Sequence, residues 1–226
     1  MQARRLTDGT ASLSADRRLN QAFLTATFGF SVSALAALTA LGVLFDWHRG
    51  TLTGLAYGIC LLCCSFCSWY YNVVQRMTPH LMRRRQIMRL LDHAAIFLLI
   101  AGTYTPFVAS GFHGPFGIGL LEWVWALAVA GIILKMILRE RYDRAFIPIY
   151  LALGWLFLFD LVSIIDRSPF TALVFLVLGG IAYTGGAAIF WRGVGRWTDA
   201  VWHGCVLIGV LTHFAGVLTL IFVAAA

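Results

Sequence analysis

Residues 19–45, LNQAFLTATFGFSVSALAALTALGVLF, and residues 50–75, GTLTGLAYGICLLCCSFCSWYYNVVQ, contain no charged side chain. A helix needs ~20 mostly apolar residues to cross a hydrocarbon core ~30 Å thick, so each stretch is long enough to span a bilayer. The polar turn Asp46-Trp47-His48-Arg49 separates them. Working outward, a third apolar window runs from 91 to 110, with Asp92 and His93 at its start and Gly111-Phe112-His113-Gly114-Pro115 closing it. A fourth, from 117 to 137, has Glu122 and Lys135 near its two ends, where long side chains snorkel to the interface. The fifth, 145–165, carries Asp160; the sixth covers 169–191 and the seventh 199–224. The pattern predicts an all-α integral membrane protein with seven transmembrane helices. Its organisation is a polar tail over 1–18 followed by one seven-helix domain over 19–226. The tail, with Arg4, Arg5, Arg17 and Arg18, lacks the short apolar core of a cleaved signal peptide, so no removal is expected.

Composition agrees. The 226 residues are 60% hydrophobic and 12% charged, with a mean hydropathy of +0.83, against about 45–50% and about 25% in soluble domains. A water-soluble fold is excluded on that surface supply. The net charge of +7 would raise the question of nucleic acid in a soluble protein. Here the basic residues mark topology, and nucleic acid is not an expected partner. Arg4, Arg5, Arg17, Arg18, Arg76, Arg83, Arg84, Arg85, Arg89, Lys135, Arg139, Arg141, Arg144, Arg192 and Arg196 fall on one side of the seven-span arrangement; Arg49 and Arg167 fall on the other. The positive-inside rule then puts the N-terminus in the cytoplasm and the C-terminus outside. The cysteines Cys60, Cys63, Cys64, Cys67 and Cys205 all lie in apolar windows, where no extracellular disulfide framework can be built, and are expected to be reduced.

Ionisable groups inside spans are the informative ones, since each costs at least about 2.5–3.5 kcal/mol near the bilayer centre unless paired, solvated or metal-bound. The second helix ends with Ser68 and Asn72, the third begins with Asp92, and the seventh begins with Asp199 and His203, an i, i+4 pair on one face. Three helices thus bring Asn72, Asp92, Asp199 and His203 to one cytoplasmic layer. Two carboxylates, an amide oxygen and an imidazole form a candidate cation site, which the hydroxyl of Ser68 can join. The alternative is local: Arg89 and Arg196 each stand three residues before an aspartate, so ion pairs and helix capping would also account for the acids. His213 at mid-membrane reads as an interhelical hydrogen bond, and Asp160 and Glu122 as interface or interhelical groups. Cys64-x-x-Cys67, Gly179-Gly180 and Gly185-Gly186 read as close helix packing, and Pro106 as a bend.

The run Leu91-Asp92-His93-Ala94-Ala95-Ile96-Phe97-Leu98-Leu99-Ile100-Ala101-Gly102-Thr103-Tyr104-Thr105-Pro106 resembles the third-helix signature of the haemolysin III family, the bacterial branch of the progestin and adiponectin receptor proteins. Gly179-Gly180-Ile181-Ala182-Tyr183-Thr184-Gly185-Gly186-Ala187, Ala200-Val201-Trp202-His203 and His213-Phe214 extend the resemblance. It implies a seven-helix, N-inside protein of the bacterial inner membrane whose partners are membrane lipids. It also implies a zinc site near the cytoplasmic face, built from Ser-x-x-x-His on helix 2, Asp on helix 3 and His-x-x-x-His on helix 7, with lipid amidases of the ceramidase type among its relatives. On this chain the serine falls on Ser68, the aspartate on Asp92 and the last histidine on His203. Asn72 and Asp199 occupy the other two histidine positions. Zinc, another divalent cation, or none are equally open with those two residues.

Three functions follow as alternatives. In a metal-dependent hydrolase of a membrane lipid amide or ester, Asp92 would position water or move a proton and Ser68 would stabilise the oxyanion. A cytolytic, pore-like protein would match the family name. A receptor-like or membrane-homeostasis protein would keep the fold without catalysis.

Overall fold

The computed structural model describes residues 2–45, 49–74, 82–110, 117–160, 165, 168–193, 195 and 197–225. The elements are α1 (Gln2–Leu44), α2 (Arg49–Trp69) running into a π turn (Tyr70–Val74), α3 (Met82–Ser110), α4 (Gly117–Leu138), α5 (Asp143–Gly154) continued by a 3-10 turn (Leu156–Asp160), α6 (Phe170–Arg192) and α7 (Thr198–Ala225). Among the described residues there is no strand. The segments Ala15–Leu44, Gly50–Asn72, Arg84–Val108, Gly119–Leu138, Phe170–Arg192 and Thr198–Ala225 are long and apolar enough to cross a bilayer. This is an integral membrane protein built of helices. The expected fifth span is different: its regular helix has 12 residues, Pro148 among them, before the 3-10 turn takes over. α1 is one helix from Gln2 to Leu44, so the polar tail from Gln2 on runs as helix into the first span. The expected turns at 46–48 and 111–115, Arg167 and Arg196, and the side chain of Asp160 lie outside the described residues.

Burial along α1 falls on Asp16, Asn20, Leu24, Thr27, Ser31, Ala34 and Leu38. Steps of three and four keep these residues on one helix face. That face packs on α2 and α7, and Ser65 of α2 donates to Ser31 Oγ at 2.7 Å. Leu19, Val32, Val43 and Leu44 point away from the bundle, as lipid contact requires. α6 packs closely on α7, and α7 also touches α1, α2 and α3, which closes the bundle. Two glycines permit this approach. A Cβ on Gly179 would overlap the His213 ring, and one on Gly186 would overlap Cys205 Cβ. The cysteines are all free thiols, and Cys60 packs against Gly102. The helical-packing expectation for the glycines and cysteines therefore holds at these contacts, while Gly185 faces open space.

Where α5 gives way to the 3-10 turn, carbonyls lose their helical partners. The Tyr104 hydroxyl of α3 lies 3.0 Å from both Leu153 O and Gly154 O, and it accepts the Phe157 N–H at 2.9 Å. Trp155 Nε1 donates to Thr184 Oγ1 of α6 at 2.9 Å. At the opposite end of α5 a charged cluster ties three helices together. Lys135, in the last turn of α4, is 1% exposed, pairs with the Asp143 carboxylate and lies 4.6 Å from the Phe146 ring centre. Arg89 of α3 reaches Asp143 at 2.7 Å and Glu140 at 3.3 Å, and His93 Nδ1 lies 3.6 Å from Asp143. Lys135 was expected to snorkel to the interface. It is buried instead, because Asp143 at the start of α5 supplies a counter-charge close to its own helix end.

Candidate functional site

Asn20 of α1, Asp92 of α3, the first turns of α7 and the end of α2 lie toward one end of the bundle. Ser68 and Asp92 form the first pair: the Ser68 hydroxyl of α2 stands beside the Asp92 carboxyl of α3. Ser68 and Asp92 are both half-buried residues. Cys64 and Cys67, one turn away on α2, lie near the same carboxylate. Arg89, the alternative local partner of Asp92, makes salt bridges to Asp143 and Glu140 and also acts on Asp92 through its charge. The Asp199 alternative involving Arg196 lies outside the described residues.

His203 belongs to a second pair. Its Nδ1 lies 2.6 Å from Asn20 Oδ1 on α1 and 2.9 Å from the Asp199 carbonyl oxygen. The Asp199 side chain is on the exposed surface. Asn72 sits in the π turn, where its Nδ2 donates to Ser68 O at 3.0 Å. Its amide is thereby turned back onto its own helix. His213 donates from Nε2 to Leu176 O of α6 at 3.1 Å, the interhelical bond expected of it.

Of the residues that zinc would use, Asn72 and His203 are engaged in hydrogen bonds and Asp199 is exposed. Among the described residues no three His, Cys, Asp or Glu side chains come together to hold a metal ion. Zinc favours imidazole and thiolate donors in a tetrahedral set. An amide bonded to a backbone carbonyl, an exposed carboxylate and one imidazole whose Nδ1 is already engaged do not make such a set. Ser68 with Asp92, by contrast, sets a hydroxyl beside a carboxyl group, two side chains able to hydrogen-bond a polar ligand.

Three contributors were not apparent from the sequence. Asn20 is 1% exposed, on the same face of α1 as Asp16; its signal was an amide at the very start of an apolar window, in step with the buried stripe. Asp143 and His93 were the others, joined only once α5 folds back beside α3.

The helical membrane fold accords with the family comparison. The family model described as Haemolysin-III related matches residues 20–214. The chain belongs to that family. It is 38% identical over 134 residues to "Hemolysin-3" of Bacillus cereus, covering 59% of this chain and 61% of the relative. It is 35% identical over 137 residues to "Hemolysin-3 homolog" of Bacillus subtilis, covering 60% and 64%. The human "Monocyte to macrophage differentiation factor" is 23% identical over 169 residues, covering 74% of this chain and 69% of the relative. The matches thus span about three fifths of the length of both Bacillus relatives.

Proposed function

We propose that the chain spans the bacterial inner membrane seven times, N-terminus inside, as a receptor-like or membrane-homeostasis protein that binds the amide or ester region of a membrane lipid at Ser68 and Asp92. The observation that carries this reading is the Ser68–Asp92 pair between α2 and α3. A carboxylate accepts from a lipid N–H or O–H, while the serine hydroxyl can turn to donate to the adjoining carbonyl. Seven spans are supported by the reach of α5. Its 12 helical and five 3-10 residues cover about 28 Å, and they lead from the Arg89 level of α3 to the Tyr104 level. The charge asymmetry supports the orientation, which a cytoplasm-only reporter active at Met1 and silent after Ala226 would test.

The same pair favours a second reading, hydrolysis of that bond, with Asp92 moving the proton and Ser68 steadying the carbonyl oxygen. Vesicles holding the protein with amide- or ester-linked lipid, with and without added zinc, separate the readings. The binding account expects neither fatty-acid release nor dye leakage above protein-free vesicles. Release lost in Asp92→Ala would establish the hydrolytic reading instead, and leakage without lipid breakdown would establish a pore.

A further inference from the structure

The Asn20–His203 contact determines which imidazole nitrogen carries the hydrogen. His203 Nδ1 faces two oxygens, Asn20 Oδ1 at 2.6 Å and Asp199 O at 2.9 Å. A backbone carbonyl can only accept, so Nδ1 is the donor, and the Asn20 atom facing it must be the amide oxygen rather than the nitrogen. In the neutral ring the lone pair then resides on Nε2. Asp199 O alone is a poor anchor, because it also receives the helical N–H of residue 203 in the regular i to i+4 pattern. Asn20 is 1% exposed and lies in the buried stripe of α1, so bulk water cannot take over its role.

We propose that Asn20 is a positioning residue: from α1 it holds the ring of His203 on α7 with the hydrogen on Nδ1. The arrangement also gives α1 a role in the site, which the helix 2, 3 and 7 residues alone would not suggest.

Histidine-selective ¹⁵N labelling tests this in detergent-solubilised, chelator-treated full-length protein, at a pH where the ring is neutral. The His203 signals are identified by their loss in His203→Gln. The parent is expected to show a protonated Nδ1 and an unprotonated Nε2; a protonated Nε2 with bare Nδ1 in the parent overturns the proposal without any variant. Asn20→Ala should move His203 toward the Nε2-protonated form or a mixture, and Asn20→Asp, which keeps an acceptor oxygen, should retain the hydrogen on Nδ1. A His203 pattern unchanged in folded Asn20→Ala would also overturn it. The nitrogen spectrum is independent of lipid retention, so failure of the lipid-binding reading would leave this result standing, and the reverse.

Discussion

Asp143→Asn is expected to lower the stability of the folded protein by about 3–5 kcal/mol, the usual cost of stripping one partner from a buried ion pair. The variant leaves Lys135, 1% exposed, with its ammonium against the Phe146 ring and no carboxylate beside it. Arg89 loses its 2.7 Å contact in the same step. The loss should fall mainly on the α3, α4 and α5 junction, and it should be seen as a lower midpoint in thermal or detergent unfolding. Lys135→Met combined with Asp143→Asn should recover most of the loss, because the uncompensated buried charge is then gone. A change under about 0.5 kcal/mol in the single variant, the size of an ordinary surface substitution, would show that this cluster does not hold the helices together.

The second large effect is a gain. Asn72→His with Asp199→His would place imidazoles at both positions where the family resemblance implies them, beside His203. Among the described residues the parent gathers no group of three His, Cys, Asp or Glu side chains for a metal, and imidazole suits zinc far better than amide or carboxylate oxygen. The double variant should therefore bind zinc in a chelator competition where the parent does not. Zinc supplied at a hundred times its dissociation constant should stabilise the variant by about 2.7 kcal/mol, because only the folded state binds it. Equal melting of both proteins with and without zinc would mean that positions 72, 199 and 203 do not share a coordination sphere.

These two expectations rest on features that differed in legibility. The long apolar windows were plain, because in lipid a spanning helix must satisfy its own backbone and expose apolar side chains; six of the expected spans are described as long helices. The fifth was less so, since Pro148 and the change to a 3-10 turn shorten the regular helix while the path is continued by bonds from Tyr104. The Ser68–Asp92 pair could be anticipated because a helix end followed by a helix start returns to the same side of the bilayer. The partner of His203 could not. Asn20 precedes it by 183 residues, and which face of α1 meets α7 depends on packing register, not on local pattern. Lys135 carried an ambiguous signal: a lysine at a span end fits both snorkelling and an ion pair, and the choice depended on Asp143 eight residues on.

The claim that Ser68 and Asp92 hold a lipid, without metal or turnover, is tested most directly by native mass spectrometry of protein purified without chelator. The measurement reads bound lipid and bound metal on the same intact molecules. The account predicts intact lipid on the parent, no stoichiometric metal, and loss of most of that lipid in Asp92→Ala while the variant remains folded. Equal lipid retention by parent and Asp92→Ala, or one zinc ion per parent chain, would contradict it.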